Sequence, residues 1–237
     1  MSNDDKKKLE RARYVELVFS VGLKPYMQSL EKHGIVRKKN ILDVGCGPGQ
    51  WTFAAAKLNP EALVVGIDID EALLDFAIRY KKKNDIKNCK FFTENYENLL
   101  KIFQSESFDV IMCNNVIQYV NDKKAFRIFS QLLKKDGTLI MFYNSGPGYY
   151  LWKFFSGIRD LDLGDIIYGA TTLIKTLGNR TLNRKVQDHF VTLGYLKKVS
   201  KEFGIALTQI ETEPRLVYRD RYLGVPYVFS CKGILRN

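Results

Sequence analysis

The alternation of short β-rich runs with longer helical segments constrains the fold of this chain more than any other feature. Five near-continuous apolar runs predict buried strands, and segments with helical spacing of apolar residues separate them. This alternation predicts a parallel sheet with helices on both faces, because right-handed crossovers return the chain to the same end of the sheet. The five runs are residues 40–45, 62–69, 89–95, 108–115 and 137–144.

Two further runs, 206–214 and 227–235, complete the predicted sheet. The segment 146–190 is too long to be a plain connection between the fifth strand and these runs. The predicted fold class is therefore α/β: a doubly wound, mostly parallel seven-stranded sheet with helices on both faces and a helical insertion after strand five. The helix expected before the fifth strand carries apolar residues at 126, 129, 132 and 133.

The first strand runs directly into a glycine-rich turn, "VGCGPG", which a helix at 52–59 follows. Three glycines in five positions (Gly45, Gly47 and Gly49) cost backbone entropy, so they indicate a geometric demand. Glycine permits unusual φ values and lets a ligand approach the bare backbone, while the helix N-terminus presents unpaired N–H groups. In doubly wound sheets ligands bind at this edge. The alternative is a tight turn without a ligand.

Two neighbouring features narrow the class of ligand. Gln50 stands where the dinucleotide fingerprint G-x-G-x-x-G requires its third glycine, which disfavours a nicotinamide or flavin dinucleotide. Asp68 ends the second strand, where a carboxylate can accept hydrogen bonds from both hydroxyls of a ribose. Polar residues also follow the third and fourth strands, in "TENYENL" and "CNNVIQYV".

Taken together, these motifs resemble those of class I S-adenosylmethionine-dependent methyltransferases. "ILDVGCGPG", "VVGIDID", "FFTENYENL", "FDVIMCNNVIQYV" and "LLKKDGTLIMF" occur in the family's order over about residues 40 to 145. The resemblance implies a methyltransferase whose cofactor is S-adenosyl-L-methionine. The residues that it places at the cofactor are Asp43, Gly45, Cys46, Gly47, Gly49, Asp68, Ile69, Asn95, Tyr96 and Asn114.

The resemblance also implies a part for each of these residues. Asp43 and the glycine backbone line the methionine portion of the cofactor, and Asp68 holds the ribose with Ile69 near adenine. Many relatives close the third strand with Asp and a small residue, where this chain has Asn95 and Tyr96. The Asn95 carbonyl can still accept from the adenine amine. The backbone of Asn114 faces the methionine end.

The resemblance identifies no general base. Many relatives carry "LHH" where this chain has Ile117, Gln118 and Tyr119, and glutamine cannot act as a base. Methyl transfer from an activated sulfonium chiefly requires alignment and exclusion of water, so a base is needed only for some acceptors. The catalytic residue is therefore unknown. The candidates are Gln118, Tyr119, Tyr143 and His189.

The predicted organisation is an N-terminal helical cap at 1–39 and a methyltransferase domain at 40–237. Helices at 11–34 cap the cofactor cleft or pack against the sheet edge. The insertion 146–190 is either a lid over the acceptor or a helical pair packed on the core. Its "YYLWKFF" offers an aromatic wall. The cations that could meet an anionic acceptor are Arg159, Arg180, Arg184 and Lys185.

Composition limits the partners. The formal charge of +11 and pI near 9.4 allow contact with nucleic acid or anionic lipid, but the Lys and Arg residues are spread along the chain, which disfavours nucleic acid. The expected partner is a small-molecule or lipid-like acceptor, and "YYLWKFFSGIR" suits peripheral membrane contact. An RNA or protein methyltransferase and a non-catalytic cofactor-binding homologue are the alternatives.

Cysteine usage and the N-terminus bear on location and metals. The four cysteines are scattered, with no C-x-x-C pair and no neighbouring histidine, so neither a metal site nor a disulfide framework is expected. The charged N-terminus lacks the apolar run of a secretory signal, and no stretch approaches the roughly 18 apolar residues of a membrane span. The chain is expected to be cytoplasmic, without an integral membrane segment.

Overall fold

The structure of the protein is a computed structural model that describes residues 3–182, 189–210, 221–223, 225–226 and 228–236. The strands are β1 (Asn40–Val44), β2 (Leu63–Asp68), β3 (Cys89–Thr93), β4 (Phe108–Met112), β5 (Leu133–Ser145), β6 (Ile205–Ile210), β7 (Arg221–Tyr222), β8 (Val225–Pro226) and β9 (Val228–Leu235). The helices are α1 (Asn3–Ser20), α2 (Lys24–Lys32), α3 (Gln50–Leu58), α4 (Glu71–Lys83), α5 (Leu99–Ile102), α6 (Asp122–Leu132), α7 (Pro147–Asp160), α8 (Leu163–Leu182) and α9 (Leu193–Lys201).

Seven strands form one sheet in the order β3-β2-β1-β4-β5-β9-β6, and β7 pairs with β8 separately. The first five strands are mutually parallel, whereas β9 runs antiparallel to both β5 and β6. The order reverses at β1, so the ends of β1 and β4 flank a crevice where such sheets bind ligands. The predicted α/β class and mostly parallel seven-stranded sheet are confirmed.

Helices cover both faces of the sheet, and alternate strand residues supply two separate cores. Leu42 and Ile111 belong to the core beneath α6 and α9, while their neighbours Ile41 and Val110 belong to the core beneath α2 and α3. Because successive side chains of a strand point to opposite faces, each apolar strand is buried on both sides. This double burial accounts for the near-continuous apolar runs in the sequence.

The fifth strand begins earlier than its sequence predicts. Leu133 shares the helical spacing of α6 but opens β5, where it pairs with Phe108 of β4. Lys134 then forms an ion pair with Asp109, in which Nζ and Oδ1 are 2.7 Å apart. Pairing with β4 therefore overrides the helical period at this position.

The N-terminal segment forms two helices, divided just before Pro25, which lies in the first turn of α2. Tyr26 of α2 packs edge-on against Trp51 of α3, with ring centroids 4.8 Å apart. Arg11 of α1 forms an ion pair with Asp70, the N-cap of α4, at 2.8 Å. Both helices thus pack on the sheet domain, on the face that α3 and α4 cover.

The insertion after β5 is a helical hairpin of α7 and α8. Two glycines let the helices approach closely, since a Cβ on Gly157 would lie 2.7 Å from the Ile166 nitrogen and one on Gly169 would lie 2.6 Å from the Tyr150 carbonyl oxygen. An ion pair between Lys153 and Asp165, at 2.8 Å, joins the two helices. The hairpin is therefore a closely packed unit in its own right.

Candidate functional site

The glycine turn between β1 and α3 has the left-handed backbone geometry that its sequence indicates. Gly45, Gly47 and Gly49 have φ angles of +69°, +52° and +88°. A Cβ on Gly45 would lie 2.4 Å from Cγ2 of Val116, and one on Gly49 would lie 2.9 Å from the Phe53 ring. Both the left-handed backbone and the close neighbours therefore exclude larger residues.

Hydrogen bonds fix the turn to the neighbouring strand. The backbone N–H groups of Gly45 and Cys46 donate to the Ile67 carbonyl at 2.8 and 2.9 Å. The Gly47 N–H donates to Oδ2 of Asp68 at 2.7 Å, and Oδ1 of the same carboxylate accepts from the Asp70 N–H at 2.9 Å. Each Asp68 oxygen therefore retains acceptor capacity for a further donor.

Asp43 lies beneath the turn, buried from solvent. Its Oδ2 accepts a hydrogen bond from the Thr52 hydroxyl at 2.6 Å. Burial away from water, opposed by the Thr52 hydrogen bond and reinforced by the charge of Asp68, raises the pKa of Asp43 from 3.8 to about 7. The turn is therefore built over a carboxyl group that ionises only with difficulty.

The end of β3 is held by side chains that also border the crevice. Asn95 caps the short turn after β3, because its Oδ1 accepts from the Glu97 N–H at 3.0 Å. The Tyr96 hydroxyl accepts from the Asn121 N–H at 3.1 Å and thereby links this turn to the loop before α6. The Asn95 oxygen has one lone pair engaged and one available.

The loop after β4 contains two asparagines with different surroundings. Oδ1 of Asn114 accepts from the Phe142 N–H at 2.9 Å, whereas its buried Nδ2 has no hydrogen-bond partner among the described residues. Asn115 adopts a left-handed backbone, with φ +57°, and its Oδ1 accepts from Gln118 Nε2 at 2.6 Å. A buried amide donor without a partner is costly, so Asn114 presents a group that a ligand can satisfy.

These turns surround a cavity of about 750 Å³, which lies within the size range of small-molecule and cofactor sites. It opens at the carboxyl ends of β1, β2, β3 and β4. The residues that line it are Tyr14, Val44, Gly45, Gly47, Ile67, Asp68, Ile69, Leu73, Glu94, Asn95, Tyr96, Glu97, Asn114, Asn115, Val116, Tyr119, Val120 and Asn121.

The structure brings most of the expected cofactor residues to this one cavity. The seven that line it are Gly45, Gly47, Asp68, Ile69, Asn95, Tyr96 and Asn114. The other three, Asp43 beneath the turn and Cys46 and Gly49 within it, are buried and do not line the cavity. Burial raises the pKa of the Cys46 thiol, with the charges of Asp43 and Asp68 adding to the effect. Cys46 is therefore a protonated packing residue in this structure.

The four catalytic candidates differ in where they lie relative to the cavity. Tyr119 lines the cavity, whereas Gln118 is fully buried and braces the Asn115 turn. Tyr143 lies in an irregularity of β5, with φ +57° and its N–H donating to the Ser230 hydroxyl at 3.1 Å. His189 is buried, with Nε2 3.6 Å from Oδ2 of Asp122. Of the four, Tyr119 alone borders the space that a ligand would occupy.

Sequence reasoning missed several lining residues. Tyr14 reaches the cavity from α1, far away in sequence, and no local pattern marks it. Val116 lies within the recognised fourth-strand motif and Asn121 directly follows it, so their position in that loop was an available signal. Glu94, which directly precedes Asn95, also lines the cavity. Hydrogen bonds from the Asn98 side chain and from the Asn95 N–H lower the pKa of Glu94.

Within the described part of the chain, every helix is too short or too polar to cross a bilayer. The same residues contain no cluster of three or more His, Cys, Asp or Glu side chains placed to bind a metal ion. Arg184 and Lys185, two of the predicted anion-binding cations, lie outside the described residues.

Comparison with known proteins agrees with this geometry. Residues 35–150 match the family described as "Methyltransferase domain". The chain is 26% identical over 210 residues to a ubiquinone biosynthesis O-methyltransferase of Neisseria meningitidis, covering 86% of this chain and 81% of that protein. It is 35% identical over 101 residues to a malonyl-[acyl-carrier protein] O-methyltransferase of Bacillus anthracis, covering 42% of this chain and only 35% of that protein.

The fold has solved counterparts. A methyltransferase from Aquifex aeolicus, described as SAM-dependent, superposes with a TM-score of 0.61 at 14% identity, and the match covers 99% of both chains. At this identity the likeness concerns the fold.

Proposed function

Because the chain belongs to the family of Rossmann-like, S-adenosylmethionine-dependent methyltransferases, we propose that it transfers a methyl group to a small-molecule or lipid-like acceptor in the cavity at the ends of β1 to β4. The cavity lining carries the proposal. It combines a glycine cradle, a carboxylate and an unsatisfied amide donor around one space of suitable size.

The residues fit the cofactor on grounds of chemistry. Asp68 has acceptor capacity left on both oxygens, as a pair of ribose hydroxyls requires. The unpaired Nδ2 of Asn114 suits an oxygen acceptor such as a carboxylate. Gly45 and Gly47 present backbone without side chains to the cavity. Bound S-adenosyl-L-methionine supplies a methyl group already activated by the positive sulfonium.

The chain itself contributes orientation and exclusion of water. Tyr14 from α1 and Leu73 from α4 close one side of the cavity, and Val116 and Val120 from the loop after β4 close another. Apolar walls of this kind displace water and strengthen the few polar contacts inside. Helix α1 thus takes part in the cavity wall as well as packing on the sheet.

We propose that the acceptor lies beside the loop after β4. Tyr119 is partly exposed and borders the cavity there, with Asn115 and Asn121 as neighbouring polar groups. The described lining residues include no histidine, so alignment of the acceptor is assigned to this loop without an imidazole base. The name of the relative from Neisseria, a ubiquinone biosynthesis O-methyltransferase, supports a small or lipid-like acceptor.

The experiment is transfer of radiolabelled methyl from S-adenosyl-L-methionine to a cell extract divided into organic-soluble, RNA and protein fractions. The proposal expects label in the organic-soluble fraction, and far less label with the Asp68→Ala variant at the same concentration of S-adenosyl-L-methionine. Label confined to RNA or protein would contradict the proposed acceptor class. Absence of label in every fraction, on protein that binds the cofactor, would contradict methyl transfer itself.

A further inference from the structure

A single loop forms much of one wall of the cavity. It follows β4 and spans residues 115–121, and we name it the wall loop. Ile117 and Gln118, in the middle of the loop, are fully buried behind that wall. The proposed position of the acceptor therefore depends on what holds this loop in place. The lining residues that the wall loop contributes are Asn115, Val116, Tyr119, Val120 and Asn121.

Pairing with β5 holds the beginning of the wall loop. The Asn115 N–H donates to the Phe142 carbonyl at 2.8 Å, and the Phe142 N–H donates to Oδ1 of Asn114 at 2.9 Å. Val116, the next residue, lies directly against the glycine turn, at Gly45. The end of the loop that borders the predicted cofactor position is thus fixed by the sheet itself.

The rest of the wall loop is supported by Gln118 and Asp122, and His189 contacts both. Gln118 Nε2 donates to the Asn115 carbonyl at 3.0 Å, and the Gln118 carbonyl accepts from the His189 N–H at 3.0 Å. Asp122 follows the loop as the first residue of α6, and its Oδ2 lies 3.6 Å from Nε2 of His189. One residue therefore joins the middle of the loop to its far end.

His189 belongs to a short segment that is itself fixed to the insertion and to the sheet. The Phe190 N–H donates to the hydroxyl of Thr176 in α8 at 3.3 Å. The Val191 N–H donates to the carbonyl of Ser145, the last residue of β5, at 3.0 Å. His189 is therefore held on a rigid support from which it can fix the position of the wall loop.

The imidazole of His189 is buried in surroundings that packing alone does not explain. His189 is 8% exposed, and neither ring nitrogen has a partner within hydrogen-bond distance among the described residues. Such burial of a polar ring is costly, so a residue that only filled space here would be apolar. Burial would raise the pKa of Asp122, but interactions with His189 and Tyr195 lower it. The carboxylate opposite the imidazole is what an apolar side chain could not use.

We propose that His189 is a positioning residue for methyl transfer, because its N–H and its imidazole hold Gln118 and Asp122 and so fix the acceptor side of the wall loop. The proposal rests on the proposed function, since it concerns the same cavity. His189 does not line the cavity, so it acts through the loop and not on the reacting atoms. Tyr119 and Asn121 are the lining residues whose position depends on it most directly.

The test measures cofactor binding and methyl transfer separately on the full chain. Calorimetric titration with S-adenosylhomocysteine gives the first, and label in the organic-soluble fraction of the cell extract gives the second. His189→Phe fills the space but has no ring nitrogen, and it is expected to transfer about 10- to 100-fold less label because the acceptor is misaligned. Its affinity for S-adenosylhomocysteine is expected to be unchanged, since β5 holds the beginning of the loop.

A conservative variant distinguishes positioning from a merely structural role. His189→Gln keeps an N–H donor that can face Asp122, and it is expected to recover most of the transfer. If His189 only filled space, phenylalanine would be the better replacement, because its ring has no polar atom to desolvate. Adding Asp122→Asn to His189→Phe is expected to cause no further loss, since the contact is already absent.

The control is His33→Gln, which removes the other of the two histidines and is expected to behave like the unaltered chain. Full transfer by His189→Phe, or an equal loss in His189→Gln, would overturn the proposal. So would a joint loss of transfer and of S-adenosylhomocysteine affinity in His189→Phe, because that pattern indicates general unfolding of the site. Failure of the unaltered chain to bind S-adenosylhomocysteine or to transfer label would instead contradict the proposed function.

Discussion

The glycine turn after β1 and the hairpin after β5 leave the same edge of the sheet. They differ in whether the backbone or the side chains provide their distinctive groups. In the turn, backbone N–H groups and left-handed glycines set the geometry, and close neighbours such as Val116 leave no room for a Cβ. In the hairpin, glycines serve only the contact between the two helices, and the distinctive groups are outward apolar side chains.

The difference reflects what each region has to recognise. A cofactor shared by a whole family can be held by backbone and one carboxylate, which leaves little freedom in sequence. An acceptor or a surface differs from one member to the next, so its recognition depends on side chains carried on an inserted element. We therefore expect changes in the turn to impair cofactor binding or folding, and changes in the hairpin to leave the cofactor unaffected.

The largest expected effect is on the pH dependence of the free energy of unfolding, and it comes from Asp43. Its pKa of about 7 means that the folded chain keeps a proton between about pH 4 and 7 that the unfolded chain has lost. Stability therefore falls as pH rises through this window, by as much as about 4 kcal/mol for a shift of about three pKa units. In Asp43→Asn this decline should be absent. Urea unfolding from pH 4 to 8 measures it.

The control for this experiment is Asp75→Asn, which removes an exposed carboxylate of α4 and should leave the pH profile as it is. Parallel profiles for Asp43→Asn and the unaltered chain would show that the buried carboxyl does not carry the pH dependence.

The second largest effect is expected from Asp68→Ala, on the affinity for the cofactor product. Loss of two charge-assisted hydrogen bonds to a ribose is expected to weaken S-adenosylhomocysteine binding by roughly 100-fold, or about 3 kcal/mol. Asp68→Asn retains an acceptor for the Gly47 N–H and should fold normally with weakened binding. Calorimetric titration measures both, with Asp75→Ala as the matched control. Affinity within threefold of the unaltered chain would remove Asp68 from the site.

A smaller effect is expected from Gly45→Ala. The left-handed φ costs about 1 kcal/mol, and overlap of the new Cβ with Val116 brings the loss of unfolding free energy to roughly 2 kcal/mol. Adding Val116→Ala should recover only the part due to overlap. Gly194→Ala, where nothing lies within 4 Å of a Cβ, should be neutral or slightly stabilising. Equal unfolding curves for Gly45→Ala and Gly194→Ala would contradict the close fit.

The smallest effect on the whole chain is expected from Gly169→Ala. The new Cβ would lie 2.6 Å from the Tyr150 carbonyl oxygen, so the helices of the hairpin must separate, at a cost of about 1 kcal/mol. Limited proteolysis should then cut within 147–182 more readily, while S-adenosylhomocysteine affinity stays the same. A parallel loss of cofactor affinity would show that the two regions are coupled.

Much of the cofactor side could be predicted from sequence because its constraints are local. Glycines at fixed spacing and an acid at the end of β2 describe a backbone geometry, and the structure gathers Gly45, Gly47 and Asp68 around one cavity. The mostly parallel seven-stranded sheet also followed, since alternating apolar runs admit few topologies. The start of β5 was wrong by four residues because pairing with β4 decided it.

The acceptor side could not be predicted because its features depend on tertiary contacts. Spacing alone did not reveal that Gln118 braces the Asn115 turn or that Tyr143 sits in an irregularity of β5. Nor did it tell which side of α8 faces outward, where threonine is buried and isoleucine exposed. Within "YYLWKFF", Tyr150 is buried and Phe155 exposed, so the predicted aromatic wall is divided between two surroundings.

The central claim is that the cavity holds the methyl donor, and calorimetric titration with S-adenosyl-L-methionine, S-adenosylhomocysteine and NAD in parallel tests it most directly. We expect binding of the first two with Kd values in the micromolar range and no binding of NAD, because Gln50 replaces the third glycine of the dinucleotide fingerprint. Binding of NAD, or no binding of either S-adenosyl compound to folded protein, would contradict it.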